Sequence, residues 1–418
     1  MASLSRRDLL RAGAIAVPAS VLAGSTGTAA WAATRLPVVE TSGTAPASLA
    51  GFDNVVKKFV LDRKITAAQL AIMKSGKIVL ARGYRYNDYS RALPTVSPTS
   101  LFRIASLSKN ITSAAVMRLV QDGKLSLSAK VTQLLGLTPA DARMQQITVL
   151  RLMQHLGGWD RDVSKDQLWL DHTIAAALDV PLPIGHADII RYATARQLDF
   201  DPGAKMVYSN YGYLLLGRII EKVSGMSYES YVKTKLLQPL GITRMRLGAS
   251  LRSEAAAGEI AYESQLTHKS VVDTSGATVP YPYGGFNMPN QDANGGWLAS
   301  AVDLVRWTLA FDRPGMVLSS ASIAKLFAKP EIGINEYGSW YGGGWWVRQV
   351  TGHLNTWHNG SMPGTFSYLA RLQNGFSYAV VFNRREEPGS LDYDTIDDDM
   401  NKVGVSSWPT TDLTAKFF

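Results

Sequence analysis

The residues of this chain best suited to do chemistry are Ser106 and Lys109, in the segment Ser106-Leu107-Ser108-Lys109. A serine hydroxyl is a poor nucleophile at neutral pH and needs a base within hydrogen-bond reach. A helix beginning at Ser106 would place Lys109 on the same face, with its amine able to fold back to the hydroxyl. The helix dipole would favour negative charge there. The alternative is a capping serine and a solvated lysine, because this spacing arises by chance about once in a few hundred residues.

A second segment, Tyr208-Ser209-Asn210, adds a proton carrier and an amide. A tyrosine phenol can shuttle a proton where nearby cations favour the phenolate. The Asn210 amide can orient both a substrate carbonyl and the lysine.

A third segment, His358-Asn359-Gly360-Ser361, lies on a predicted strand before Pro363-Gly364. Gly360 has no side chain, so a substrate backbone could lie along that strand edge. The backbone N–H groups of Ser361 and Ser106 could together form an oxyanion hole.

These three segments, in this order, resemble the penicillin-recognising serine hydrolases over about residues 50–385. They are most similar to the branch that contains class C β-lactamases, a D-Ala-D-Ala carboxypeptidase, D-aminopeptidases and β-lactamase-fold esterases. Four further segments share the resemblance: 152–158, 213–221, 237–241 and 295–300.

The resemblance implies catalytic roles for three residues. Ser106 would be the acylated nucleophile, and Lys109 the base, alone or jointly with Tyr208. Tyr208 would pass the proton to the leaving group and help to activate water in deacylation.

The resemblance also implies a set of substrate-binding residues. Asn210 would hold the substrate, while Gly360 and Ser361 would line the strand edge and complete the oxyanion hole. His358 is the main departure, because class C β-lactamases usually carry lysine at that position. Histidine there occurs in the carboxypeptidase and in several esterase-like members, so a strongly charged anchor for a β-lactam carboxylate is not expected.

The elements that must position these residues come from both ends of the chain. The patterns predict an α+β fold (an α/β sandwich), with an antiparallel sheet flanked by helices and an inserted, mainly helical subdomain, as in β-lactamases and transpeptidases. The hydrolase domain would span 49–418, with a sheet subdomain at about 49–110 and 335–418 and a helical subdomain at about 111–334. Hydrophobic periodicity predicts helices over 50–63, 106–121, 211–224, 228–237, 301–311 and 391–403, and strands over 67–72, 77–84, 344–350, 354–357, 365–371 and 376–382.

The first 32 residues have the features of a twin-arginine signal peptide. Arg6-Arg7 precedes an apolar run, and Ala30-Trp31-Ala32 forms a cleavage site. Residues 33–48 would be a linker. The expected location is therefore periplasmic or secreted.

Composition excludes several classes of function. The chain has 418 residues, no cysteine and a net charge of +9, so disulfides and thiol chemistry are excluded. No basic cluster with interleaved aromatics indicates nucleic-acid binding, and no long apolar run indicates a transmembrane segment. The spread positive charge predicts a loose association with an anionic cell wall. No metal or other cofactor is expected, because no metal-ligand spacing occurs.

Other aromatic and imidazole groups have less specific interpretations. His155 is predicted to be structural. The segment 250–295 is irregular, and its Tyr281, Tyr283 and Phe286 would form either a lid over the site or ordinary surface packing.

The predicted function is that of an exported serine hydrolase with a small-molecule or peptide substrate and an acyl-enzyme on Ser106. An esterase or a D-Ala-D-Ala-type peptidase or amidase is favoured, because His358 argues against a class C-like β-lactamase. The alternative of another class is a non-catalytic cell-wall or ligand-binding homologue. Retention of Ser106, Lys109 and Tyr208 together argues against that alternative.

Overall fold

An eight-stranded antiparallel sheet runs through the structure, and its strands come from both ends of the chain. The order is β1-β3-β2-β13-β12-β11-β10-β9, so the N-terminal strands join the C-terminal ones at the β2–β13 pair. The strands, which include short ones outside this sheet, are β1 Val38–Thr44, β2 Ala68–Lys74, β3 Lys77–Asn87, β4 Phe102–Arg103, β5 Arg246–Leu247, β6 Thr267–Lys269, β7 Thr278–Pro280, β8 Trp297–Ala299, β9 Ser339–Tyr341, β10 Trp346–Val350, β11 His353–Met362, β12 Thr365–Leu372 and β13 Phe376–Phe382.

The structure is a computed structural model that describes residues 35–418, of which 37–418 form one compact unit. The predicted signal peptide lies outside the described residues. Within this range the helices are α1 Ala50–Arg63, α2 Ser108–Gln121, α3 Val131–Leu135, α4 Val149–Met153, α5 Asp171–Leu178, α6 His186–Thr194, α7 Asn210–Ser224, α8 Tyr228–Val232, α9 Ala301–Trp307, α10 Leu309–Asp312, α11 Ser320–Leu326 and α12 Thr395–Asn401. None of them is long and apolar enough to cross a membrane.

Alternate residues of the central strands enter two hydrophobic clusters, because successive side chains of a strand point to opposite faces. Leu70 and Val380 join the cluster that contains residues of α1 and α12. Ala71 and Val381 join the larger cluster, which contains residues of α2, α7 and α9. The predicted α+β architecture, a sheet covered by helices on both faces, is confirmed.

The N-terminal linker was predicted too long. Residues 38–44 are not linker but form the edge strand β1, which pairs with β3 from Val38↔Asn87 to Thr44↔Ala81. Its segment is rich in Thr, Ser and Gly and none of its residues is fully buried, so it lacks the apolar alternation that identifies a strand. Pairing with the longer β3, rather than side-chain burial, accounts for this strand.

Candidate active site

Ser106 lies in a tight turn that leads into the buried helix α2. A short 3-10 helix, Ala105–Leu107, precedes α2, so the helical segment begins one residue before the predicted start. Ala105 has a φ of 47°, a left-handed conformation that costs a residue other than glycine about 1–3 kcal/mol and that clusters at functional sites. Ser106 is partly exposed, whereas Lys109, one turn on, is 0% exposed.

The Lys109 amine contacts three oxygens. Its Nζ lies 3.1 Å from Ser106 Oγ, 2.7 Å from Asn210 Oδ1 and 2.9 Å from the carbonyl oxygen of Asn294. The two carbonyl oxygens can only accept hydrogen bonds. A neutral amine would donate its two N–H groups to them and keep its lone pair for the Ser106 hydroxyl proton.

The surroundings of Lys109 favour that neutral amine. Burial lowers the pKa of Lys109 well below its ordinary value; Asp166 opposes this change and Arg161 adds to it. Desolvation acts in this direction because it penalises the charged form of a lysine. The position of the Lys109 amine and its lowered pKa are those that a base for Ser106 would need.

Tyr208 and Asn210 lie at the start of α7, which begins at Asn210 and is capped by the Ser209 side chain. The buried Tyr208 hydroxyl has no hydrogen-bond partner among the described residues. Burial raises the pKa of Tyr208 well above its ordinary value, and the nearby Ser106 hydroxyl partly offsets the rise. Tyr208 is therefore a neutral phenol at neutral pH, suited to donate a proton rather than to take one.

Asp166 is a site residue that the sequence did not reveal. Its Oδ2 accepts a hydrogen bond from Asn210 Nδ2 at 2.5 Å, and its Oδ1 accepts one from the Leu168 N–H at 3.1 Å. The first contact fixes the Asn210 amide so that its oxygen faces Lys109. A single aspartate between two loop segments carries no pattern that could have identified it.

His358 faces the site as a neutral imidazole. Burial and the nearby Lys109 lower the pKa of His358 to about 3. Its Nδ1 lies 2.5 Å from the Asn359 carbonyl oxygen and its Nε2 lies 2.9 Å from Tyr341 Oη. A carbonyl oxygen only accepts, so Nδ1 carries the proton and Nε2 accepts from the tyrosine. Both ring nitrogens are occupied within the protein.

Gly360 brings strand β11 against the nucleophile. A methyl group added at Gly360 would come within 2.4 Å of the Ile104 carbonyl oxygen and 3.1 Å of the Ser106 nitrogen. The absence of a side chain therefore allows the strand to pass beside Ser106.

The Ser361 N–H faces an open strand edge. A two-residue turn joins β11 to each of its neighbours in sequence. The residues on either side of such a turn, such as Met362 and Thr365, form a hydrogen-bonded pair. The backbone N–H and C=O groups of β11 point alternately toward β12 and away from it, starting with Met362, which points toward β12. Those of Asn359 and Ser361 therefore point away from β12. In the described sheet β10 covers β11 only as far as Trp357. This arrangement agrees with the predicted oxyanion position of Ser361.

His155 packs inside the site rather than apart from it. It is 1% exposed, its ring centroid lies 4.3 Å from that of Tyr208, and its Nδ1 accepts the Ser209 N–H at 3.1 Å. Tyr341 packs on the ring as well, at 4.5 Å. Burial lowers the pKa of His155 well below its ordinary value. These contacts fit the predicted structural role, since they orient Tyr208.

The segment 250–295 is fixed to the site rather than free above it. The buried Arg103, which lies three residues before Ser106, donates a hydrogen bond to the carbonyl oxygen of Pro282 at 2.7 Å and another, at 2.8 Å, to that of Ala249, just before the segment. Its guanidinium also lies 4.4 Å from the Tyr262 ring centroid. Phe286 is 1% exposed. Of the two interpretations of this segment, packing fits better than a lid.

The structure brings the seven predicted site residues together around Ser106 and Lys109. Asp166, Asn294 and Tyr341 join them, as does Arg161, whose guanidinium carbon lies 5.5 Å from the Tyr208 ring centroid. Within residues 35–418, no group of three or more His, Asp or Glu side chains could hold a metal ion.

Comparison with protein families gives one match over most of the chain: the Beta-lactamase family model matches residues 52–399. Penicillin-binding protein 4 of Amycolatopsis lactamdurans is 28% identical over 323 residues, which cover 74% of this chain and 78% of the relative. Protein flp of Staphylococcus aureus (strain N315) is 28% identical over 193 residues, or 46% of this chain. The chain spans only 36% of the length of that relative.

The fold is also that of a solved amidase structure. The D-amino acid amidase from Ochrobactrum anthropi SV3, complexed with L-phenylalanine amide, superposes with a TM-score of 0.65. The match covers 85% of this chain and 97% of the amidase, at 19% identity. At that identity the likeness concerns the fold alone.

Proposed function

Since this chain belongs to the beta-lactamase family, we propose that it is a serine hydrolase that works through an acyl-enzyme on Ser106. Its substrates would be esters or D-amino-acid peptides or amides. The observation that carries the proposal is the Lys109 amine, which is buried, close to Ser106 Oγ and bonded to two oxygens that can only accept.

Acylation would start from the neutral amine. Lys109 takes the hydroxyl proton as Ser106 Oγ bonds to the substrate carbonyl carbon, and the carbonyl oxygen becomes an oxyanion. The N–H groups of Ser106 and Ser361 would stabilise it. The C–N or C–O bond then breaks as Tyr208 gives its proton to the leaving group and regains one from Lys109. In deacylation, Tyr208 relays a proton from the attacking water to the neutral amine of Lys109, and Lys109 returns that proton to Ser106 Oγ as the acyl C–Oγ bond breaks.

The substrate class follows from the neutral His358. His358, which stands where class C β-lactamases usually carry lysine, supplies no charged anchor for a β-lactam carboxylate, because both of its ring nitrogens are occupied. A class C-like β-lactamase is therefore the second candidate, and it is supported by the family model alone.

Covalent labelling tests the acyl-enzyme. A fluorescent penicillin or a fluorescent phosphonate should label the wild type at Ser106, as read by mass spectrometry, and should not label Ser106→Ala. Ser126→Ala, which alters an exposed serine, is the control and should label normally. Equal labelling of wild type and Ser106→Ala would contradict the mechanism, and no labelling of any protein would favour the non-catalytic homologue.

A comparison of several substrates tests the proposed substrate class. We expect kcat/KM for p-nitrophenyl esters, D-alanyl peptides or D-amino acid amides to exceed that for nitrocefin. The reverse order would make the β-lactamase the better description.

We also propose export through the twin-arginine pathway, on the pattern of residues 1–32. The mature protein should begin near Ala33 and appear in the periplasm or medium. Arg6→Lys combined with Arg7→Lys should keep it in the cytoplasm, and unchanged secretion of that variant would exclude this route.

Binding of the mature protein to isolated cell walls would fall with added salt if the proposed association is electrostatic.

A further inference from the structure

The inner part of the site has three basic side chains, and none of them is placed to bind an anion on the substrate. His155 is 1% exposed and packs between the Tyr208 and Tyr341 rings. The imidazole of His358 is neutral with both nitrogens occupied. The amine of Lys109 is committed to three oxygens of the protein. An anionic substrate group would need a cation from elsewhere.

Arg161 is a cation beside the same site. Its side chain is exposed, and its guanidinium carbon lies 5.5 Å from the centroid of the Tyr208 ring. No hydrogen bond or ion pair to another described residue engages this guanidinium, so its five N–H donors are open to a ligand. Its charge also reaches inward, where it lowers the pKa of Lys109.

The carboxylates nearest to Arg161 along the chain have other partners. Asp160 pairs with Lys205 at 3.0 Å. Asp166 accepts hydrogen bonds from Asn210 and from the Leu168 N–H. Neither carboxylate forms a hydrogen bond or ion pair with Arg161, although the charge of Arg161 acts to lower the pKa of both.

The turn that carries Arg161 is held in place. Asp199 accepts hydrogen bonds from the Asp160 N–H at 2.7 Å and from Ser164 Oγ at 2.8 Å, on either side of Arg161. The Asp162 N–H bonds to Asp160 Oδ1 at 3.0 Å. Because the backbone of this turn is already ordered, less conformational entropy is lost when the guanidinium binds an anion.

We propose that Arg161 binds a carboxylate on the leaving group of the substrate and so determines leaving-group specificity. This inference rests on the proposed function, in which Tyr208 protonates the leaving group, because Arg161 lies over the ring of Tyr208. A planar guanidinium matches a carboxylate with two parallel hydrogen bonds. The preferred substrate class is then an acyl-D-amino-acid peptide with a free C-terminal carboxylate, rather than an amide or a simple ester.

A matched pair of thioesters tests this assignment. N-acetyl-D-alanyl-thioglycolate and N-acetyl-D-alanyl-thioglycolamide differ only in the charge of the leaving group. The wild type should prefer the carboxylate by at least about tenfold in kcat/KM, the scale of one charge-assisted hydrogen bond. In Arg161→Gln the ratio should fall to near one, and Arg161→Lys should retain part of it. High salt should reduce the wild-type preference.

Lys165→Gln is the matched control, because Lys165 is an exposed cation close to Arg161 in sequence. It should keep the wild-type ratio. A wild-type ratio near one, or an unchanged ratio in Arg161→Gln, overturns the assignment while Ser106 labelling leaves the proposed function standing. If neither thioester is turned over and Ser106 is not labelled, both the proposed function and this inference fail.

Discussion

At the scale of single residues, the proposed mechanism divides the acid and base roles between two buried groups. Burial lowers the pKa of Lys109 and raises that of Tyr208, because desolvation disfavours whichever form is charged. Burial thus makes Lys109 able to accept a proton and keeps Tyr208 able to donate one. The family resemblance implied Lys109 as the base, alone or jointly with Tyr208, and left that choice open.

Removing the base should slow acylation strongly. We expect Lys109→Ala to lower the acylation rate constant at least about a hundredfold, the usual scale of general-base loss. Lys109→Arg should lose as much, since a guanidinium stays protonated. Stopped-flow measurement of single-turnover acylation reads this step directly. Near-normal rates in either variant would remove Lys109 from the mechanism.

Two neighbours of Lys109 should shift its titration in opposite directions. Asp166 raises the pKa of Lys109, whereas Arg161 lowers it. Asp166→Asn should therefore move the acidic limb of the kcat/KM profile to lower pH, and Arg161→Gln should move it to higher pH. A neutral ester is the substrate for this measurement, because its binding does not titrate. Shifts of the same sign in both variants would contradict the role of Lys109 as the titrating base.

At the scale of elements, the turn that carries Ser106 packs so closely against strand β11 that a side chain at Gly360 would not fit. Gly360→Ala would push a methyl group into the Ile104 carbonyl oxygen and move the strand edge away from Ser106. We expect kcat/KM to fall on the order of a hundredfold, the cost of misplacing reacting groups by about 1 Å.

Gly404→Ala is the matched control for this substitution. A methyl group there would have no heavy atom within 4 Å, so activity should be unchanged. Full activity in Gly360→Ala would show that the close approach of β11 is not needed.

The elements that the sequence predicted best are those with a strong period or clear ends. Helix α1 has the predicted bounds 50–63, and α7 ends before Gly225, whose φ of 70° suits a helix terminus. The predicted helix 301–311 is interrupted, since α9 ends at Trp307 and α10 begins at Leu309. The short edge strand β9 was not predicted, because three residues give no period to read.

The sequence likewise predicted some residues of the candidate site and not others. Ser106, Lys109, Tyr208 and His358 stand in segments whose spacing is informative. Asp166 and Arg161 come from the irregular loop after α4, and only the folded chain brings that loop beside Tyr208. Local pattern does not report such long-range contacts.

At the scale of the whole molecule, the pairing of β2 with β13 joins the two ends of the chain in one sheet. Ser106, in the turn before α2, and His358, on β11, lie about 250 residues apart in sequence. The site therefore forms only when the sheet is complete, and conditions that destabilise the fold should disable the site with it.

Acid is one such condition. The unfolded chain takes up a proton on each histidine near the ordinary pKa of about 6.5, whereas the pKa of folded His358 is about 3 because of its burial. Between these values the unfolded state binds more protons, so the free energy of unfolding rises with pH and is lost as pH falls through this window. The melting temperature of the wild type should drop steeply from pH 7 to pH 4.

Replacing the buried imidazole tests the cause of that drop. His358→Gln should melt lower than wild type at pH 7, because it breaks the contact with Tyr341. Its melting temperature should nevertheless change less between pH 7 and pH 4, since one proton-linked group is gone. His172→Gln removes an exposed histidine and should keep the wild-type slope in calorimetry. Parallel slopes for wild type and His358→Gln would mean that other groups, such as the buried His155, carry the acid sensitivity.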